Sequence, residues 1–121
     1  MLELDRLTKK FGETTAVDRL VEAARGHLRM ATVAPEILGG FEVIKALIDA
    51  DVIVAVGHTA ADTATTEEAV EAGARIATHL FNGMPPLHHR FPGPVGVLLA
   101  NPSITVELIA DGVHLAPATL A

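Results

Sequence analysis

Cysteine, tryptophan and tyrosine are all absent from the 121 residues, and phenylalanine occurs only four times. Without thiols there is no disulfide frame and no thiolate metal site. A chain free of disulfides suits the cytoplasm. With so few aromatic rings, the hydrophobic half of the chain must pack as Ala, Val, Ile and Leu. Those residues are the usual filling of parallel strands and of the helices that cover them. Positive charge is also scarce: 9 Lys and Arg stand against 15 Asp and Glu, a net charge of −6. Phosphate backbones would be repelled, which argues against a nucleic-acid partner. No apolar run approaches the roughly 18 residues of a membrane span, so no membrane partner is expected. The stretch from Met1 to Lys10 is too charged for a signal peptide. At 121 residues the chain makes one domain at most, about half of what an eight-stranded α/β barrel needs.

The residues that are present alternate between two periodicities. Val17, Leu20, Val21 and Ala24 recur at helical spacing, and Gly26 is placed to end that helix. Leu28 to Ala34 reads as a buried strand. Gly39-Gly40 leads into a helix with Phe41, Ile44, Leu47 and Ile48 on one face. Val52 to Gly57 is the next strand. Thr65 with Glu68 forms a capping box that opens a helix closed by Gly73. Arg75 to His79 is a third strand, followed by a Pro/Gly-rich loop from Pro85 to Gly96. A short helix is expected around Val97 to Ala100, then a fourth strand from Ile104 to Ala110 and a helix that begins at Pro117. Strand–helix repetition of this kind builds a parallel sheet. An open doubly wound sheet has the same repeat, but no Gly-rich phosphate loop follows any of these strands.

Polar residues gather after the strands. Glu36 follows the first, His58 the second, His79 and Asn82 the third, and Asp111 and His114 the fourth. In α/β barrels the C-terminal face of the sheet carries the chemistry. His58 and His79 are one strand–helix–strand unit apart, the spacing of two ligands on one metal ion. His27, at the opposite end of its strand, reads as structural. Glu36 reads as a helix cap or a solvated acid. Asp111-Gly112 is also a good turn, and His88-His89-Arg90 is also a good exposed loop.

Several longer motifs resemble one family. They are Val33-Ala34-Pro35-Glu36, Gly57-His58-Thr59, the run from Thr78 to Arg90, Pro92-Gly93-Pro94, and the run from Ile109 to His114. From about Leu20 onward, in this order, the chain resembles the N-acetylglucosamine-6-phosphate deacetylases of the amidohydrolase superfamily. The resemblance implies an α/β fold: residues 20–121 as about four central strand–helix units of a TIM-type (β/α)8 barrel. It implies hydrolysis of the acetamide of N-acetylglucosamine 6-phosphate to glucosamine 6-phosphate and acetate. It also implies a divalent metal cofactor, zinc or similar, a cytoplasmic location and a homodimer for the complete enzyme. By position, His58 and His79 correspond to metal ligands. Asn82, Gly83, Arg90, Asp111, Gly112, Val113 and His114 correspond to substrate contacts, with Arg90 on the sugar phosphate. His114 would support catalysis by polarising the amide carbonyl or would hold a sugar hydroxyl.

The chain departs from the family pattern in places. Gly83 stands where the family usually has Ala, and Phe91 where an acid usually follows the arginine. The family's metal-binding glutamate has no counterpart, and Glu36 does not match its motif. The family's catalytic aspartate has no counterpart either, so the 121 residues are expected to lack useful turnover alone. An alternative reading is therefore a non-catalytic remnant that keeps a weak metal site. The first residues, Met1 to Gly12 with Thr14 to Asp18, resemble the opening strands of an ABC-transporter ATPase, without its phosphate-binding loop. Residues 1–19 are thus expected to be an extension of different origin.

Overall fold

A computed structural model describes residues 10–11 and 14–121. The ATPase-like stretch therefore lies mostly outside the described residues. Its described part pairs β1 (Lys10–Phe11) antiparallel with β2 (Thr14–Thr15). The chain then continues through α1 (Ala16–Ala24), β3 (Met30–Val33), α2 (Gly40–Asp49), β4 (Ile53–Val56) and α3 (Thr63–Glu71). After these come β5 (Ile76–Ala77), α4 (Gly93–Ala100), β6 (Thr105–Val106) and α5 (Pro117–Leu120). Among the described residues no helix is long and apolar enough to cross a membrane.

β3, β4, β5 and β6 form one parallel sheet in chain order. A doubly wound sheet reverses its order at a switch point, and no reversal occurs in these four strands. Alternation along the strands separates two faces. Val33, Val54, Val56 and Ala77 are buried and join the core that α1, α2 and α3 help to build. On the opposite face the register partners Met30 and Ile53 stay 40% and 49% exposed. The helices therefore supply the core on one face of this sheet.

Local chemistry explains the helix boundaries. α1 carries its apolar stripe as expected and stops where Arg25 and Gly26 turn left-handed (φ 48° and 80°). His27 is exposed, and its backbone N–H donates to the Ala24 carbonyl. Val17 is only 2% exposed and belongs to the core cluster. The boundary expected between residues 19 and 20 thus falls inside α1. α2 buries Val43, Ile44 and Leu47. Gly40 must be glycine there, because a Cβ would lie 2.5 Å from the Pro35 carbonyl oxygen.

Three expectations need correction. α3 is capped by Asp62, whose carboxylate accepts from the Thr65 N–H, so Thr65 is not the capping residue. α4 begins at Gly93 inside the expected loop; it is apolar nearly all round and offers no periodicity to read. The third and fourth strands are shorter than their apolar runs. His79 and Phe81 are left-handed (φ 32° and 79°), which ends β5 early and leaves the residues after Glu107 without a strand to pair with.

Ile44 is fully buried and Leu38 is 94% exposed. Ile44→Ala should cost about 2–5 kcal/mol in urea denaturation, and Leu38→Ala less than about 0.5 kcal/mol. Equal losses would mean that the core is not organised on α2.

Candidate metal centre

The geometry of the candidate site follows from strand register. β4 pairs with β5 at an offset of 21 positions, Val56 opposite Ala77. Carried two residues further, the same offset sets Gly57 beside Thr78 and His58 beside His79. The imidazoles meet there, with Nε2 to Nε2 at 2.8 Å and the rings edge to face at 87°. Both histidines leave their strands in the left-handed region, at φ 48° and 32°. Non-glycine residues in that region cost of order 1–3 kcal/mol each and persist only where their surroundings enforce them.

Gly57 and its neighbours supply part of that enforcement. A Cβ on Gly57 would lie 2.8 Å from Thr78 Cβ and 2.9 Å from Thr32 Cγ2. The bare α-carbon lets the two threonines meet, with their hydroxyls 2.9 Å apart. Strands β3 and β5 are thus tied across β4, just below the histidines. On the other side Gly83 (φ +65°) lies against His58, and a Cβ there would be 3.0 Å from Nδ1. Asn82 is anchored beside the pair, its backbone N–H donating to the His79 carbonyl at 3.0 Å.

Two converging imidazole nitrogens suit a divalent ion, which binds neutral histidine directly. Two such nitrogens about 2.0–2.1 Å from a tetrahedral ion stand roughly 3.3 Å apart. The observed 2.8 Å is the length of a hydrogen bond, so the rings must part slightly to share an ion. Nδ1 of His79 is buried, with no hydrogen-bond partner among the described residues. Also among the described residues, no group of three or more His, Cys, Asp or Glu side chains could hold a metal. The pair thus offers two of the donors that a divalent ion takes, and among the described residues no third stands with them.

Glu36 is the residue that the sequence reading undervalued. It caps no helix, and although it is exposed to solvent as expected, it is not free. Its carboxylate accepts from the Thr59 hydroxyl at 2.5 Å and from the Ala60 N–H at 2.6 Å. β3 and β4 pair at an offset of 23 positions, and Glu36 and Thr59 keep that offset. On the same count Pro35, which has no ligating atom in its side chain, stands in the row of the two histidines.

The other expected site residues form separate, local structures. Asp111 accepts from the Val113 and His114 N–H groups, each at 2.8 Å, and from the His114 ring nitrogen Nδ1 at 2.7 Å. Gly112 (φ +77°) makes the turn that allows this. With Nδ1 held, Nε2 is the remaining polar atom of the neutral His114 ring, an acceptor. Arg90 is exposed, its backbone N–H donating to His88 Nδ1 at 3.2 Å. Phe91 is 73% exposed and stacks on the His88 ring. The hydrogen bonds of Arg90 and of the 111–114 turn are thus made within their own loops.

Gly57→Ala should cost about 1–3 kcal/mol, the usual range for overpacking. It should also break the Thr32–Thr78 hydroxyl contact, which a crystal structure of the variant would resolve; an unchanged contact would remove Gly57 from the account. The backbone N–H of His114, then its imidazole, then the Val113 N–H hold the Asp111 carboxyl down at about 2, from an ordinary 3.8. These donors favour the ionised form. They therefore support the folded turn above pH 4, and that support is lost as pH falls through about 2. A carbon-13 titration of the Asp111 carboxyl should show its midpoint near 2, and one near the ordinary value would refute the turn.

No family model matches the chain. Individual relatives do. A deacetylase of N-acetylglucosamine 6-phosphate from Bacillus subtilis (strain 168) is 46% identical over 96 residues, covering 79% of this chain and 24% of the relative. An N-acetylgalactosamine-6-phosphate deacetylase from Escherichia coli O157:H7 is 40% identical over 109 residues, covering 90% of this chain and 29% of the relative. The crystal structure of N-acetyl-D-glucosamine-6-phosphate deacetylase from Mycobacterium smegmatis superimposes with a TM-score of 0.84 at 46% identity. That match covers 87% of this chain and 28% of the other, and a variant of the same enzyme has been solved with N-acetyl-D-glucosamine-6-phosphate. The chain spans about a quarter of the length of these relatives. In sequence and in fold, it is a homologue of a quarter-length segment of the N-acetylglucosamine-6-phosphate deacetylases.

Proposed function

We propose that residues 20–121 form about four central strand–helix units of a (β/α)8 amidohydrolase barrel. In that setting they serve the hydrolysis of N-acetylglucosamine 6-phosphate to glucosamine 6-phosphate and acetate. The observation that carries this reading is the meeting of His58 and His79, Nε2 to Nε2 at 2.8 Å, where two parallel strands end. Barrel enzymes assemble their chemistry at that end of the sheet. The homology of the whole segment to deacetylases supports it.

In this reading His58 and His79 hold a divalent ion, zinc or similar, through Nε2. When bound, such an ion activates water and polarises the acetamide carbonyl. The protein's own residues do the rest. Neutral imidazoles are required for binding, so proton uptake by either histidine competes with the ion. Gly83 and Asn82 flank the pair and line the acetamide side of the sugar. Arg90 offers a planar fork of donors to the 6-phosphate. Asp111 holds His114 by Nδ1, so neutral His114 presents Nε2 as an acceptor to a sugar hydroxyl, and a protonated His114 presents a donor to the carbonyl. An acid–base partner is needed besides these residues, a step worth about 10²–10⁴-fold in rate.

The substrate class is an N-acetylated hexosamine 6-phosphate, since the relatives include enzymes named for both the gluco and galacto sugars. The gluco sugar is the proposed substrate.

The test is a graft. Residues 28–115 of this chain replace the matching segment of the Mycobacterium smegmatis enzyme, and acetate release is followed with both sugar phosphates. The graft should turn over N-acetylglucosamine 6-phosphate. His58→Ala or His79→Ala should lower its kcat/KM by more than the ~10–100-fold typical of losing an outer partner of a metal ligand. Arg90→Ala should act mainly on KM. Full activity with both histidines replaced would overturn the metal reading, and faster release from the galacto sugar would reassign the substrate.

A further inference from the structure

We infer that Glu36 is a positioning residue for His58: its carboxylate clasps Thr59 and Ala60 and so holds the histidine in its left-handed conformation, with Nε2 turned to His79. The inference rests on the metal-centre reading for its functional meaning, but its geometry stands alone.

Three observations support it. First, His58 occupies a conformation that non-glycine residues avoid (φ 48°), so something must oppose its relaxation. Second, the two residues that follow it are each bound to the same carboxylate, Thr59 through its hydroxyl at 2.5 Å and Ala60 through its N–H at 2.6 Å. Hydrogen bonds to an ionised acceptor are short and roughly twice as strong as neutral ones. Third, Thr59 is 1% exposed, and a buried hydroxyl needs an acceptor for its proton. The Thr59 oxygen accepts in turn from the Ala61 N–H at 3.0 Å. Glu36 therefore terminates a short chain of bonds that runs along residues 59–61.

The arrangement also explains why an acid at the end of β3 is not a third ligand. The histidines stand level with Pro35 in the strand register, and Glu36 lies one residue further on. Both its oxygens are occupied by donors from the turn after β4. The carboxylate extends the β3–β4 pairing past the point where backbone pairing ends. The last backbone bond of that pair runs from the Gly57 N–H to the Val33 carbonyl at 3.3 Å. Beyond it, the side chain of Glu36 takes over the tie between the two strand ends.

The test uses the full 121-residue chain. Zinc is titrated by calorimetry into the wild type and into Glu36→Ala, Glu36→Gln and His58→Ala. Metal-free samples are followed by nitrogen-15 NMR of the imidazoles and by amide exchange. Glu36→Ala should weaken zinc binding by about 10–100-fold, the usual effect of losing a partner that orients a ligand. Glu36→Gln keeps the size and one acceptor oxygen and should recover part of that loss. Without metal, Glu36→Ala should lose the His58–His79 nitrogen contact and exchange the Ala60 amide faster, Glu36→Gln should do so to a lesser degree, and Val54 and Val56 should keep their protection in both. Wild-type zinc affinity and an intact imidazole contact in both variants would overturn the inference. Equal loss of protection at Ala60, Val54 and Val56 would also overturn it, since Glu36 would then be a general stabiliser. If His58→Ala binds zinc like the wild type, the metal reading fails by itself. The clasp is then decided by the imidazole contact and by Ala60 exchange in the metal-free protein.

Discussion

Parallel backbone pairing between β3, β4 and β5 is the constraint on which the rest of this molecule depends. It sets one offset of 23 positions and one of 21. Two contacts of the candidate centre follow them directly. Thr59 meets Glu36 on the first, and His58 meets His79 on the second. The Thr32–Thr78 hydroxyl contact reaches diagonally across Gly57, from β3 to the end of β5. The site is an extension of the sheet by side chains, beyond the last residues that the backbone can pair.

The energetic logic runs in the same direction. Apolar burial on the helix-covered face, through Val33, Val54, Val56 and Ala77 together with Ile44 and Leu47, holds the strands in register. A rigid register then supports two strained histidines and one close-packed glycine at its end. Strain of this sort gathers where a protein needs side chains in arrangements that relaxed backbone does not give. In such regions a stable core and a demanding site are parts of one design.

Much of this was legible in the residues. Apolar runs located the four parallel strands to within two residues at their starts. Strand ends were not legible. β5 stops because His79 and Phe81 turn left-handed; histidine enters that region more often than most residues, but neither type marks a strand end. α4 escaped because a helix that is apolar nearly all round has no polar face to mark its period. Asp62 was hidden behind Thr65 as a cap, since the stretch from Asp62 to Glu68 contains two overlapping capping signals. His58 and His79 could be paired from spacing alone, and the motifs around them named the right family. Glu36 could not be read, because the destination of its carboxylate depends on a cross-strand offset that only the fold reveals.

The centre belongs to the sheet and to the short turn after His58, and the rest of the connection between β4 and β5 can vary without touching it. His58 and His79 are joined in the chain by α3 and its two loops; the turn just after His58 is tied to Glu36, but the bonds of α3 and of the loop after it do not reach either imidazole. Residues could be added to the loop after α3, and the imidazoles would still meet, provided Val56 still faced Ala77. A single deletion inside β4 would do the opposite. It would leave the length of the connection almost unchanged and bring Thr59, not His58, level with His79. Changes of length after α3 are therefore compatible with the centre, while changes of length within β4 are not.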